Sequence, residues 1–348
     1  MHRLINFYSI VEEAWADYDQ SRPIRSVVDI SAMVSTNHVF RVTLEDGDSV
    51  IAKLSYFGKF EHFKEDHSII NALATNLPHP FENFLARSLT KANEVYIYRY
   101  INTSLDAWVV FYNPIKKRKM LPKRLEEDQI SKLGKEVAKF HKACARVKGV
   151  LPPYSKTLKI DLEHLNDILD TEDGKYEHRG HVDTTKKQIE TFYENSYELN
   201  SDSFQAIPVF IDWNIGNFSV NASQKLFSRW DYDWFRMSGR VMDFYFFSRV
   251  VSDIGDRTEF SYIAGPLMEE RFIIFLQAYH KEYPLSENEI RFIKEAYRFF
   301  LLNYVVKDGR YFFHEIYATK LQREVYEIYL PQLDKVFKPE KLLKALKL

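Results

Sequence analysis

Between residues 207 and 232 the chain switches to short strand-forming runs inside sequence that is otherwise patterned for helices. The runs are Ile207-Pro-Val-Phe-Ile211, Phe218-Ser-Val220 and Leu226-Phe-Ser-Arg-Trp230. Apolar, β-branched and aromatic residues over so few positions favour strands, and Asn221-Ala-Ser223 between the second and third supplies the residues of a turn. Any fold must therefore seat a small β element within a helical body. A second β-rich region lies near the start. His38-Val-Phe-Arg-Val-Thr-Leu44 alternates toward a strand, Glu45-Asp-Gly-Asp48 has the chemistry of a tight turn, and Ser49-Val-Ile-Ala-Lys-Leu54 returns. Val95-Tyr-Ile-Tyr-Arg-Tyr-Ile101 reads as a further strand.

Helical spacing accounts for most of the rest. Helices are expected over 4–19, 60–75, from a cap at Asp128 through His141, over 161–170 and 184–199, and through most of 241–346. From about residue 104 helices are expected to dominate. This divides the chain into a small β-rich N-terminal part, about 1–101, and a larger helical part, about 102–348, in an α+β fold.

Composition removes several function classes. Glycine accounts for only 11 of 348 residues, about half the usual share. No two glycines stand one residue apart and no Gly-Lys-Ser/Thr occurs, so the dinucleotide fingerprint and the Walker phosphate loop are both missing. A net charge of -1 lacks the strongly basic footprint of a dedicated nucleic-acid binder. No apolar run approaches the length of a membrane span, and Glu12, Glu13 and Asp17 interrupt the first apolar stretch, which is wrong for a signal peptide. One cysteine, Cys144, permits no intrachain disulfide and points to a reducing compartment. The expectation is a cytoplasmic protein with no nucleic-acid or membrane partner.

The residues that carry chemistry concentrate in the β island. Asp212 follows an apolar strand, Asn217 stands five residues later, and the return strand brings Asp231, with Asp233 two residues beyond. The hairpin gathers two carboxylates and an amide at one end; hard oxygen ligands of this kind suit Mg²⁺ on a nucleotide's phosphates, and the remaining Asp suits orienting an acceptor hydroxyl.

This segment resembles the catalytic segment of the aminoglycoside phosphotransferase/choline kinase family, relatives of the protein kinases. There, His-Gly-Asp is followed by Asn five residues on, a short hairpin and Ile-Asp-Phe/Trp. The resemblance implies a protein-kinase-like two-lobed fold, with a small β-rich N-lobe and a larger mainly helical C-lobe. It implies ATP-dependent phosphorylation of a small-molecule hydroxyl, with ATP and Mg²⁺ as cofactors. Asp212 matches the catalytic Asp, Asn217 and Asp231 the metal ligands, and Asp243 a later Asp with a structural part. Lys53 matches the phosphate-binding Lys and Glu65 its ion-pair partner. Leu133-Gly-Lys-Glu-Val-Ala-Lys-Phe-His141 looks like the family's Leu-Gly-x-x-Leu-Ala-x-Leu-His helix, with His141 packing behind the catalytic loop. The match covers about residues 27–255. It departs at Phe210, where the family has His, at Asn214-Ile215, where it has His-Pro, and in the nucleotide-covering loop Ser31–His38, which has no glycine. In that loop Ser35, Thr36 and Asn37 are the expected phosphate donors. Rival readings are a non-catalytic nucleotide-binding pseudokinase and a compact protein Ser/Thr kinase.

Three lesser features are expected to be inert. His181-Val-Asp183 and the Glu177-His178 pair read as surface loop, and Lys116-Lys-Arg-Lys119 as a solvated basic excursion.

Overall fold

Strand alternation decides which way the N-terminal lobe faces. In the computed structural model, which describes residues 6–32, 36–116, 119–254 and 261–348, helix α1 (Phe7–Tyr18) precedes strands β1 (Ile24–Asp29), β2 (His38–Leu44) and β3 (Ser49–Ser55). Helix α2 (Phe60–Asn76), a two-residue ladder β4 (Thr90–Lys91) and β5 (Glu94–Val95), and strands β6 (Ile97–Ile101) and β7 (Asp106–Tyr112) follow. Five strands form one antiparallel sheet in the order β1-β2-β3-β7-β6. Successive side chains point to opposite faces. Phe40, Val42, Ala52, Leu54, Val109 and Phe111 therefore pack with Ile10, Val11 and Trp15 of α1. Lys53, between Ala52 and Leu54 in β3, points the other way, toward the helical lobe.

The expected strands 38–44 and 49–54 are present, and Gly47 makes the reversal between them with φ of 90°, a left-handed conformation that costs glycine little. Two expectations need correction. The strand expected over 95–101 is broken at Tyr96, whose hydroxyl turns to the Ala14 carbonyl (2.9 Å) and Asp17 Oδ2 (2.6 Å). Residues 106–112, expected within the helical part, form β7 between β3 and β6, so the sheet extends past the expected boundary at 101. Trp108-Val-Val-Phe-Tyr112 is apolar throughout and buried, and such a run carries no alternation to mark it as a strand.

The helical lobe comprises α3 (Glu127–Val147), α4 (Leu158–Asp170), α5 (Glu172–Glu177) and α6 (Val182–Glu198), then strands β8 (Ala206–Val209), β9 (Phe218–Val220), β10 (Leu226–Arg229) and β11 (Arg236–Gly239). Helices α7 (Phe244–Val251), α8 (Glu270–Glu282), α9 (Glu287–Phe300), α10 (Gly309–Phe312), α11 (Glu315–Glu324), α12 (Leu330–Val336) and α13 (Pro339–Leu346) complete it. The β island becomes two antiparallel ladders, β9 with β10 and β8 with β11. The second partner, β11, lies beyond the expected strands. Helix α3 is capped by Glu126 in a reciprocal capping box with Gln129, two residues before the expected Asp128. Among the described residues no helix is long and apolar enough to cross a membrane.

Helix α3 carries His141 toward the β island and packs closely on α8. A methyl group on Gly134 would run into the Phe275 carbonyl oxygen of α8. Gly134→Ala is accordingly expected to destabilise the protein by about 1–3 kcal/mol, the usual cost of overpacking a filled core. Urea unfolding should show the lower midpoint with an unchanged slope.

The lesser features take structural places. His181 stacks on Tyr326 at 4.2 Å between ring centroids, His178 Nδ1 lies 2.7 Å from the Tyr326 hydroxyl, and Glu177 pairs with Arg310 at 2.6 Å. Lys117 and Arg118 of the basic run lie outside the described residues, and Lys119 bridges to Val220 beside β9. Cys144 is buried, which pushes its thiol well above the ordinary value.

Candidate active site

Strand β8 ends in a tight turn that presents Asp212. Ile211 stands where the family segment has Gly and adopts φ of 59°, a region a β-branched residue enters only under constraint. The constraint comes from below. The fully buried Asp243 carboxylate accepts the backbone N–H of Phe210 (2.9 Å) and of Ile211 (2.6 Å) through one oxygen. Its other oxygen meets His141 Nε2 at 3.0 Å, and His141 Nδ1 in turn meets the Tyr279 hydroxyl at 2.8 Å. His141 is fully buried, so α3 supports the turn from behind.

The β9–β10 hairpin sets the opposite wall. Asn217 Nδ2 donates to Asp212 Oδ2 at 2.9 Å, and the Trp230 N–H donates to the Asn217 carbonyl at 3.0 Å. Directly after Trp230, Asp231 takes φ of 67°, which Asp tolerates better than most residues. The bend swings its carboxylate toward β3. There Lys53 Nζ meets Asp231 Oδ1 at 3.0 Å and also pairs with Asp233 Oδ1. The structure thus brings Asp212, Asn217, Asp231 and Lys53 into one chain of contacts, and adds Asp233.

Charge in this cluster is strongly directed. Burial would lower the Lys53 ammonium, but the Asp231 and Asp233 carboxylates outweigh it and hold it above its ordinary value. Burial also opposes ionisation of Asp231, which Lys53 overcomes, leaving Asp231 below the usual range. Asp233 goes the other way: burial and the neighbouring Asp231 push it up to about 6, against the pull of Lys53. The Lys53 side chain is 8% exposed and that of Asp231 39%. The carboxylate can therefore meet a ligand from solvent while the ammonium stays enclosed.

The remaining predicted residues divide. Asn37 Nδ2 donates to Asp233 Oδ2 at 2.7 Å, and its Oδ1 accepts from Ser55 Oγ at 2.9 Å. Thr36 donates through its hydroxyl to the Tyr311 carbonyl and through its N–H to that of Phe312 (3.4 Å), which ties the covering loop to the helical lobe. Ser35 lies outside the described residues. Glu65 is not brought to Lys53; it accepts the Ser155 N–H at 2.9 Å instead. Its neighbour Asp66 pairs with Lys156 at 2.6 Å. Both carboxylates at this level of α2 therefore face the loop after α3, and Asp231 and Asp233 take the partnership with Lys53 that the sequence assigns to Glu65.

The donor chemistry fits a hard cation. Asn217 commits its amide nitrogen to Asp212, and an amide oxygen together with the Asp231 carboxylate is a donor pair suited to Mg²⁺, whose other ligands would be phosphate oxygens and water. Among the described residues no cluster of three or more His, Cys, Asp or Glu is arranged to hold a metal ion.

Sequence reading missed Arg229. Its signal was slight: one cation between Ser228 and Trp230 in a run read as a strand. The side chain is fully buried. Its guanidinium lies 4.6 Å from the Phe210 ring centroid and 4.3 Å from that of Trp213, and Nη2 donates to the Asp212 carbonyl at 3.0 Å.

No family model and no curated protein matches this sequence. Solved structures do. An amicoumacin kinase in complex with AMP-PNP, Ca²⁺ and Ami aligns over 91% of each chain with a TM-score of 0.62 at 14% identity. A microcompartment-associated aminopropanol kinase aligns over 95% of this chain and 99% of its own, TM-score 0.62, 13% identity. Wild-type aminoglycoside 2'-phosphotransferase-IIIa, in a GDP complex, aligns over 96% of this chain and all of its own, TM-score 0.56, 10% identity. The chain has the protein-kinase-like two-lobed fold of the aminoglycoside phosphotransferases and small-molecule kinases.

Proposed function

We propose that the protein is an ATP-dependent phosphotransferase acting on the hydroxyl group of a small molecule. The observation that carries this reading is the convergence of Lys53 from the sheet with Asp212, Asn217 and Asp231 from the β island at one end of the cleft. In this reading Asp212 orients the acceptor hydroxyl and receives its proton. Lys53 leaves Asp231 and Asp233 to bind the α- and β-phosphates, and Thr36 and Asn37 line the phosphate side. Asn217 and Asp231 hold Mg²⁺, which supplies charge neutralisation across the phosphates. Phosphoryl transfer needs little beyond positioning and charge, so these groups suffice. The matched structures support the cofactor choice through their AMP-PNP with Ca²⁺ and GDP complexes. That two of them are an amicoumacin kinase and an aminopropanol kinase supports a small-molecule acceptor. An enzyme of this kind works where ATP is supplied, in keeping with the cytoplasm expected from the sequence.

Nucleotide binding is read by thermal shift. Mg-ATP at a hundredfold excess over its Kd should stabilise the protein by about 2.7 kcal/mol. Asp231→Ala should remove most of the Mg²⁺-dependent part. A wild-type shift indifferent to Mg²⁺ would remove the metal assignment. Tight ATP binding with no acceptor phosphorylated across a broad panel of alcohols and hydroxyl-bearing peptides would favour the pseudokinase reading.

A further inference from the structure

We propose that Arg229 is a positioning residue for phosphoryl transfer, a buried cation beneath the turn that fixes Asp212 through its backbone carbonyl. The proposal rests on the reading of Asp212 as the residue that receives the hydroxyl proton.

The turn Phe210–Trp213 is held from two sides. Asp243 takes the two N–H groups that precede Asp212, and Arg229 supplies the donor for the carbonyl of Asp212 itself. With Ile211 at φ of 59°, the turn keeps its shape only while both holds persist. Arg229 is well placed for its share. Its N–H donates to the Phe84 carbonyl at 2.6 Å, and its own carbonyl accepts from the Ala86 N–H at 2.9 Å and from the Tyr232 hydroxyl at 3.1 Å. The guanidinium then packs against both the Phe210 and Trp213 rings, which meet edge to face at 83°. Phe210, the main departure from the family segment, is one wall of that corner.

Stability does not explain the arrangement. Arg229 Nε and Nη1 are buried with no hydrogen-bond partner, and burial lowers the guanidinium below its ordinary value. Burying a cation whose donors are only partly satisfied costs free energy. A charge kept at that cost, one hydrogen bond from the backbone of Asp212, is placed for function.

The test is steady-state Mg-ATP turnover, with water and a panel of amino alcohols as acceptors, in wild type, R229M, R229K and D212N. R229M is expected to lower kcat at least about tenfold with KM for ATP within about twofold. R229K, which restores a cation, is expected to recover kcat to within about threefold of wild type. Should R229M not fold, R229Q is the neutral variant read against R229K by the same kcat and KM. Wild-type kcat in the neutral variant, or R229K no better than the neutral variant, overturns the proposal while loss of activity in D212N leaves the functional reading intact. A wild type with no turnover, or a fully active D212N, overturns the functional reading and this proposal with it.

Discussion

Asp212→Asn is expected to lower kcat at least about a hundredfold while ATP affinity changes by less than about tenfold. The substitution keeps the size of the side chain and an oxygen to accept from Asn217 Nδ2, 2.9 Å away, but removes the negative charge and the proton acceptor. A positioned general base contributes about 10²–10⁴-fold, or roughly 3–5 kcal/mol of barrier. Asp212 is not assigned to the phosphates, so the loss falls on the chemical step. Steady-state rates and ATP titrations of both proteins provide the check. An unchanged kcat would remove Asp212 from the catalytic role, and equal losses in rate and ATP affinity would move it to the nucleotide.

The largest expected loss of stability is at Asp243. Its carboxylate is wholly enclosed and receives two backbone N–H groups and His141. Asp243→Ala leaves two buried donors and a buried imidazole without their acceptor. Each buried group left unsatisfied costs about 1–3 kcal/mol. The combined loss is therefore several kcal/mol of the roughly 5–15 kcal/mol that holds a domain together. Asp243→Asn, which keeps one acceptor oxygen, should be milder. Urea unfolding of the three proteins measures the series, and a loss under about 1 kcal/mol in the alanine variant would contradict the latch described for this turn.

What the sequence made legible follows from the range of the interactions. Strands 38–44 and 49–54 with their Gly47 turn are local patterns, and alternation alone sends Lys53 to the face away from α1. The hairpin from Asn217 to Asp231 is equally local, so the meeting of Asp212 with Asn217 needed only the spacing. Contacts set by packing between distant segments were not legible. Which carboxylate reaches Lys53 depends on how α2 sits against the loop after α3. With Glu65 held by Ser155 N–H and Asp66 by Lys156, the pairing passes to Asp231 and Asp233. Strand β7 was hidden because a strand buried on both faces has no polar alternation. Arg229 was hidden for a related reason: nothing local to a single cation in a short strand run tells that tertiary structure will pack it against two rings.

The most direct test follows the γ-phosphoryl group itself. Purified protein is incubated with Mg²⁺ and γ-labelled ATP against a panel of small hydroxyl compounds, and each acceptor is examined for label. Transfer of label to an acceptor hydroxyl as a phosphate ester, with one ADP formed per ester and none without Mg²⁺, is the predicted result. ATP bound in the cleft with no label on any acceptor would contradict it.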